Sequence, residues 1–388
     1  MVKRFKSLLA EFFRQADLVL LGLCCAATLF GIALIFSATQ YKSSSRYVAV
    51  QSLALLLGVC VYVVFSHIDI EILMKKWKWV LAFNLILILL LRTPFGVEVY
   101  GNRAWLKLPG IPINIGPAEF VKITFVLLLA WQMNWLREEK RDLRSFRSAI
   151  SVAGHAIGMC GYYYIISSDM GNGLVFLFIF LCMAFVAGFA LRWFALLLGA
   201  GAGAVFAALK LGLMPSHMQE RFIVLFDHSF DPLGAGWQQT RSLLALGSGG
   251  LTGQGYLNGT QTQAGEGSLP ARWTDFIFSV CGEELGMLGC VTVILILTAI
   301  IARVFQVAKN AQSPFHCNVC IGMAAMLIFQ TVINIGMCLF VMPVIGITLP
   351  FFSYGGSSVV TLYMAMGIVS GIKMRSPTLR RLGRPIRN

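Results

Sequence analysis

Long apolar runs separated by short polar connections organise the chain. Ten stretches, roughly 17–37, 47–66, 77–93, 115–134, 149–167, 171–190, 193–213, 274–302, 315–340 and 351–371, are long and apolar enough to read as membrane-crossing helices. This pattern predicts an all-α polytopic membrane protein with about ten transmembrane helices. Two polar intervals interrupt it, at 94–114 and 214–273. The second is the longest segment outside the spans, and its core, GAGWQQTRSLLALGSGGLTGQGYLNGTQTQAGEGSLP, is too polar and glycine-laden to cross a membrane. Long loops in compact proteins are usually functional or disordered. The apolar SLLALGSGG within it predicts a short helix or re-entrant piece against the membrane surface. No inverted repeat is visible, which argues against a secondary transporter. The chain reads as a single membrane domain, 1–388, with an N-terminal segment 1–16, the large loop 214–273 and a basic tail 372–388.

Composition supports this reading. Hydrophobic residues make up 57% of the chain and charged ones 12%, against about 25% charged in soluble domains. The start, MVKRFKSLLAEFFRQ, is basic and amphipathic with no small-residue cleavage site, so the first span is expected to be the anchor. A net charge of +14 invites a nucleic-acid reading. Its distribution excludes that: with the N-terminus inside, 21 Lys and Arg fall on the inner side and 9 on the outer, with Lys122 in a span. This asymmetry predicts a multi-pass protein with both termini in the cytoplasm and the loop 214–273 outside. The 10 cysteines are scattered and imply no disulfide framework. His316 with Cys317-x-x-Cys320 has metal-like spacing but no second ligand pair.

The candidate chemistry sits at the span edges. SLPARWTDFIFSVCGEELGMLG, 268–289, places Asp275, Glu283 and Glu284 in an apolar setting. A charged carboxylate costs roughly 2.5–3.5 kcal/mol at a helix centre and less near the interface, so Asp275 is a functional candidate. The alternative is a helix N-terminus, with Thr274 or Asp275 capping free N–H groups. Glu119 and Lys122 share one helical face after Pro117, as a self-neutralising pair or as the wall of a cavity. Arg103, Trp105 and Lys107 alternate in GNRAWLKLPG, which suits an interfacial belt with snorkelling cations or recognition of a phosphate-bearing head group. Asp169 in SSDMGNG is expected to cap the next span. Pro343, Gly346 and Pro350 break the chain before Tyr354-Gly355-Gly356-Ser357-Ser358, where glycines permit close helix approach or unwound backbone. No Ser-His-Asp set, P-loop or HExxH motif is present, and the five histidines are isolated.

Taken together, MPVIGITLPFFSYGGSS, TDFIFSVCGEELG, ALGSGGLTGQG, GTQT, GNRAWLKL and PAEFVK resemble the SEDS family of cell-wall polymerases, typified by RodA, FtsW and SpoVE, over residues 17–375. Ala118, Ser168, Asn172, Arg241, Ala271 and Trp273 depart from the usual pattern. Val344 stands where many division-type members carry Lys, which leans toward the RodA-like elongation branch. The resemblance implies a SEDS-type fold and a peptidoglycan glycosyltransferase at the outer face of the bacterial cytoplasmic membrane, for cell elongation, shape or division. It would transfer a lipid II glycan from undecaprenyl pyrophosphate onto a sugar hydroxyl with inversion. It also implies Asp275 as catalytic carboxylate and Arg103, Trp105, Lys107, Glu119, Lys122 and Glu284 as substrate-binding residues. A divalent cation, Mg or Mn, is the one cofactor expected, with no ligand set assigned and no organic cofactor. The expected partners are a class B penicillin-binding protein and membrane lipids, not nucleic acid. A lipid-linked precursor flippase and a non-catalytic scaffold are the alternatives.

Overall fold

A computed structural model describes residues 12–376 apart from 43, 100–101, 108–113, 140, 213–215, 228–229, 232–233, 235 and 266. The segment 1–11 and most of the tail, 377–388, therefore lie outside the described residues. The chain is an α-helical bundle of α1 (Leu18–Ala38), α2 (Ser44–His67), α3 (Ile70–Met74), α4 (Trp77–Leu89), α5 (Pro117–Glu138), α6 (Phe146–Ser167), α7 (Met170–Ala187) and α8 (Leu191–Lys210). It continues with α9 (Ser216–Phe226), α10 (Trp237–Gly249), α11 (Thr260–Gln263), α12 (Ile277–Lys309), α13 (Pro314–Cys338) and α14 (Gly356–Arg375).

Every expected span has a helix. Eight of these helices are long and apolar enough to cross a membrane, which makes this an integral membrane protein. The other two differ for physical reasons. α4 has 13 residues before a 3-10 turn takes over, and α5 carries Glu119 and Lys122 near its start and Arg137 and Glu138 at its end. One departure from an all-helical chain is the antiparallel hairpin of β1 (Gly96–Val99) and β2 (Asn102–Leu106), within the first polar interval.

α14 lies almost wholly inside the bundle, whereas no residue of α8 is buried. Close packing of α14 on α2 depends on Gly367 and Gly371. A methyl group at either would stand 2.7 Å from a carbonyl oxygen of α2, that of Tyr62 or of Ser66. Small residues four apart let helix backbones approach where there is no water to drive packing. At the end of the bundle near the tail, the buried Asp17 pairs with Arg303 at 2.8 Å and Lys373 at 3.2 Å.

The span expected at 274–302 needs correction. α12 runs from 277 to 309 but breaks at Gly286, whose φ of 67° and ψ of −162° are non-helical. A residue with a side chain is strained at this φ, and glycine is not. The turn is sharp enough that a methyl at Gly289 would meet Cys281 Sγ at 3.0 Å. Only 287–309 is left to cross the membrane, about 34 Å at 1.5 Å per residue. Asp275, Glu283 and Glu284 all precede the crossing.

The long loop is built rather than loose. α10 is the short helix expected at SLLALGSGG. Ser242 binds Ser279 of α12 at 2.6 Å and donates to the Cys338 carbonyl at 2.7 Å. Arg272, fully buried, donates to the carbonyls of Leu269, Thr262, Ala264 and Gly265 and lies 4.5 Å from the Tyr41 ring centroid. One guanidinium thus gathers a polar loop whose own carbonyls lack helical partners.

Candidate active site at the loop end of the bundle

Asp275 lies in an irregular turn just before α12. Phe276 is the N-cap residue and gives no side-chain cap bond. Thr274 Oγ1 donates instead to the Ala271 carbonyl at 3.2 Å. Neither Thr274 nor Asp275 caps the helix, so the capping alternative is not what the structure contains. Three successive carbonyls of this turn are held from outside it. The Tyr354 N–H donates to Trp273 O at 2.8 Å, the Ser353 hydroxyl to Thr274 O at 2.6 Å, and Asn334 Nδ2 to Asp275 O at 2.8 Å.

The Asp275 carboxylate is half-buried and has no ion pair among the described residues. Loss of solvent, with the Asp169 carboxylate as the smaller cause, pushes it up from the ordinary range to about 6. Asp169 caps α7 as expected, accepting from the Asn172 N–H at 3.2 Å, and it also accepts from Tyr163 at 3.0 Å. Its field at Asp275 is a second role that the cap motif does not disclose.

Glu119 and Lys122 form an ion pair at 2.8 Å, with Lys122 buried. The Ser358 hydroxyl donates to Glu119 at 3.2 Å, and Ser357 Oγ accepts from the Gly116 N–H at 3.2 Å. A methyl on Gly116 would stand 3.3 Å from the Trp105 ring and 3.4 Å from Glu119 Cγ, so Trp105 and Glu119 are neighbours. The segment 353–358 thus touches the Asp275 turn through Ser353 and Tyr354, and the Glu119 side through Ser357 and Ser358. Gln51 fixes its middle, donating to Ser353 O at 3.1 Å and accepting from the Gly355 N–H at 3.1 Å.

The other assigned residues lie apart. Arg103 pairs with Glu98 at 3.2 Å on the exposed hairpin, and Lys107 is exposed next to it. Glu284 is fully buried and accepts from Ser37 at 2.5 Å and Gln263 at 3.0 Å. Its neighbour Glu283 accepts from Thr260, the N–H of Gln261, and Thr262 through both N–H and hydroxyl. Both glutamates hold the long loop onto α12 and α1. Trp273, one of the departures noted in the sequence, joins Tyr41 and Tyr47 at centroid distances of 6.4 and 5.6 Å, with Lys42 5.3 Å over its ring. Among the described residues no three His, Cys, Asp or Glu side chains gather to hold a metal ion.

A buried carboxylate-cation pair, a raised carboxylate and an aromatic-lined turn share one end of a membrane bundle, a set suited to acid-base work on an amphiphilic substrate. A family model described as "Cell cycle protein", FTSW_RODA_SPOVE, matches residues 12–377. The "Probable peptidoglycan glycosyltransferase FtsW" of Trichlorobacter lovleyi is 32% identical over 371 residues, covering 93% of this chain and 94% of that one. A solved structure from work on the "structural coordination of polymerization and crosslinking by a peptidoglycan synthase complex" aligns with a TM-score of 0.76 at 28% identity. It covers 92% of this chain and 97% of that one. The crystal structure of Thermus thermophilus rod shape determining protein RodA aligns with a TM-score of 0.68 at 27% identity, covering 93% and 98%.

Proposed function

This chain belongs to the FtsW/RodA/SpoVE family, and from that premise we infer how a peptidoglycan glycosyltransferase works with the residues found here. The donor is read as lipid II, a glycan on undecaprenyl pyrophosphate. Asp275 takes the proton from the acceptor sugar hydroxyl as its oxygen attacks the anomeric carbon. The bond from that carbon to the pyrophosphate oxygen breaks, configuration inverts, and undecaprenyl pyrophosphate leaves. Lys122, held by Glu119, is the nearest of the assigned cations to the core and offsets charge on the departing pyrophosphate. Arg103 and Lys107 on the hairpin receive its phosphates at the surface. A Mg or Mn ion, where bound, would offset charge on the pyrophosphate alongside these cations.

The observation that carries this reading is Asp275 itself: a carboxylate raised to about 6 that neither caps a helix nor pairs with a cation. A base with its pKa near the working pH is the efficient one. Orientation follows from the charge asymmetry, with the loop end outside and both ends of the chain in the cytoplasm. A thiol introduced at Asn258 in a cysteine-depleted chain should react with an impermeant reagent in intact cells. Protection until lysis would invert the topology. The partner is read as a class B penicillin-binding protein that crosslinks the strands made here, in line with the solved synthase complex. Purified protein given lipid II in detergent decides the activity. Glycan strands are expected, whereas movement of lipid II across vesicles without polymer would favour a flippase.

A further inference from the structure

We infer that Asn334 and Ser353 are positioning residues that aim the Asp275 carboxylate, an inference that rests on the reading of Asp275 as the base. Asn334 is fully buried in α13 and splits its two amide donors between Asp275 O at 2.8 Å and Ile347 O at 2.7 Å. Ser353 does the same with one hydroxyl, donating to Thr274 O at 2.6 Å and accepting from the Leu349 N–H at 2.8 Å. Each side chain therefore ties one carbonyl of the Asp275 turn to the segment 347–353.

The need for this is local. α12 begins its own bonding at Phe276, whose carbonyl accepts from the N–H groups of Ser279 and Val280. The Asp275 carbonyl has no place in that ladder. Left alone, it would be satisfied by winding the helix back one residue. Each helical residue turns its side chain by about 100°, so such rewinding re-aims the carboxylate. Asn334 occupies the carbonyl at 2.8 Å, with the Cys338 thiol a longer and weaker donor at 3.7 Å, and closes that route. It does so at a cost: its own Oδ1 is buried without a partner, a penalty that a leucine would avoid. A residue that breaks the local rule at such a place is expected to serve the site.

The test uses the full chain with lipid II as substrate. Asn334→Leu keeps the volume and removes the donors. It should lower kcat about 100-fold, the scale of a misplaced reacting group, while KM moves less than about threefold. The rising limb of the pH–rate profile should leave pH 6, because the turn no longer holds Asp275 in its present surroundings. The titratable groups facing that carboxylate are Asp169 and the Cys338 thiol, and neither substitution touches them. Ser353→Ala should lower kcat about tenfold, and Ser353→Thr, which keeps the hydroxyl, should restore it. In an Asp275→Asn background, Asn334→Leu should remove nothing more. If folded Asn334→Leu keeps kcat and the pH 6 limb while Asp275→Asn is dead, the positioning inference falls and the base reading stands. If Asp275→Asn polymerises normally, both fall. Should Asn334→Leu not fold, Ser353→Ala and its threonine rescue decide by the same criteria.

Discussion

Asp17 and Asp275 stand at opposite ends of the same bundle, and their surroundings are opposite in kind. Asp17 is wholly buried, bonded to Arg303 and Lys373, and its backbone N–H donates to Ser370 at 3.0 Å. Tyr62 donates to its carbonyl at 2.8 Å. Its N–H, its carbonyl and both of its carboxylate oxygens are bonded within the fold. Asp275 is half-buried, faces another acid, and has its backbone tied down while its carboxylate is left without a cation. A paired carboxylate holds helices together. An unpaired one, kept in place by its neighbours' backbone bonds, is set aside for a ligand.

The largest effect expected at either end is at Asp275. Asp275→Asn keeps the shape and removes the charge, and polymerisation of lipid II should fall by about 10²–10⁴-fold with folding retained. Near-normal rate in a glycan-strand assay would erase the contrast between the two acids. Asp17→Asn should do the reverse, costing about 3 kcal/mol of stability by stranding two cations. Thermal melting in detergent should drop, while the folded fraction keeps its rate. An intact melting temperature would mean that the pair contributes nothing.

The pH profile gives a finer distinction. The base must be ionised, and its pKa is raised to about 6, so the rate should rise with pH through about 6 rather than near the ordinary carboxylate value of 3.8. Asp169→Asn removes the smaller of the two causes, so the midpoint should move down part of the way and no further. A midpoint that stays put would show that desolvation alone raises it. The smallest change is expected from Arg103→Ala. Its ion pair with Glu98 is solvent-exposed on both sides, and such pairs contribute about 0–1 kcal/mol. Any substantial loss in that variant would have to come from substrate, and a raised KM would locate it there.

The positions of the long apolar helices were legible because hydrocarbon thickness dictates run length, except that the crossing expected from 274 starts only after the break at Gly286. Asp275 was legible for a related reason: a lone acid beside an apolar run is expensive enough to stand out. Glu284 carried the same signal with a different outcome. Its partner Ser37 lies 247 residues away in sequence, and no local pattern shows that bond. Gly286 was hidden because one glycine in ELGMLG looks the same in a helix as at a break, and only its φ distinguishes them. Asn334 shares its span with two other amides, Asn318 and Gln330. Nothing local singles it out, because its target is a backbone carbonyl, which every residue has.

The bonds of Asp17 also impose an order of manufacture. Its partner Ser370 is 353 residues further along and Arg303 is 286. At 5–20 residues per second of synthesis, Asp17 waits about 20–70 s after leaving the ribosome for Ser370 to exist. Until Arg303 is made, which takes most of that interval, the first helix carries a carboxylate with neither of its cations. α14, the most enclosed of the candidate membrane spans, also follows every other described helix in the chain. The earlier helices must hold a slot open for it, and a chain truncated before Lys373 keeps both an empty slot and an incompletely neutralised acid. Synthesis of α14, rather than insertion of the first span, is therefore the event that closes the bundle.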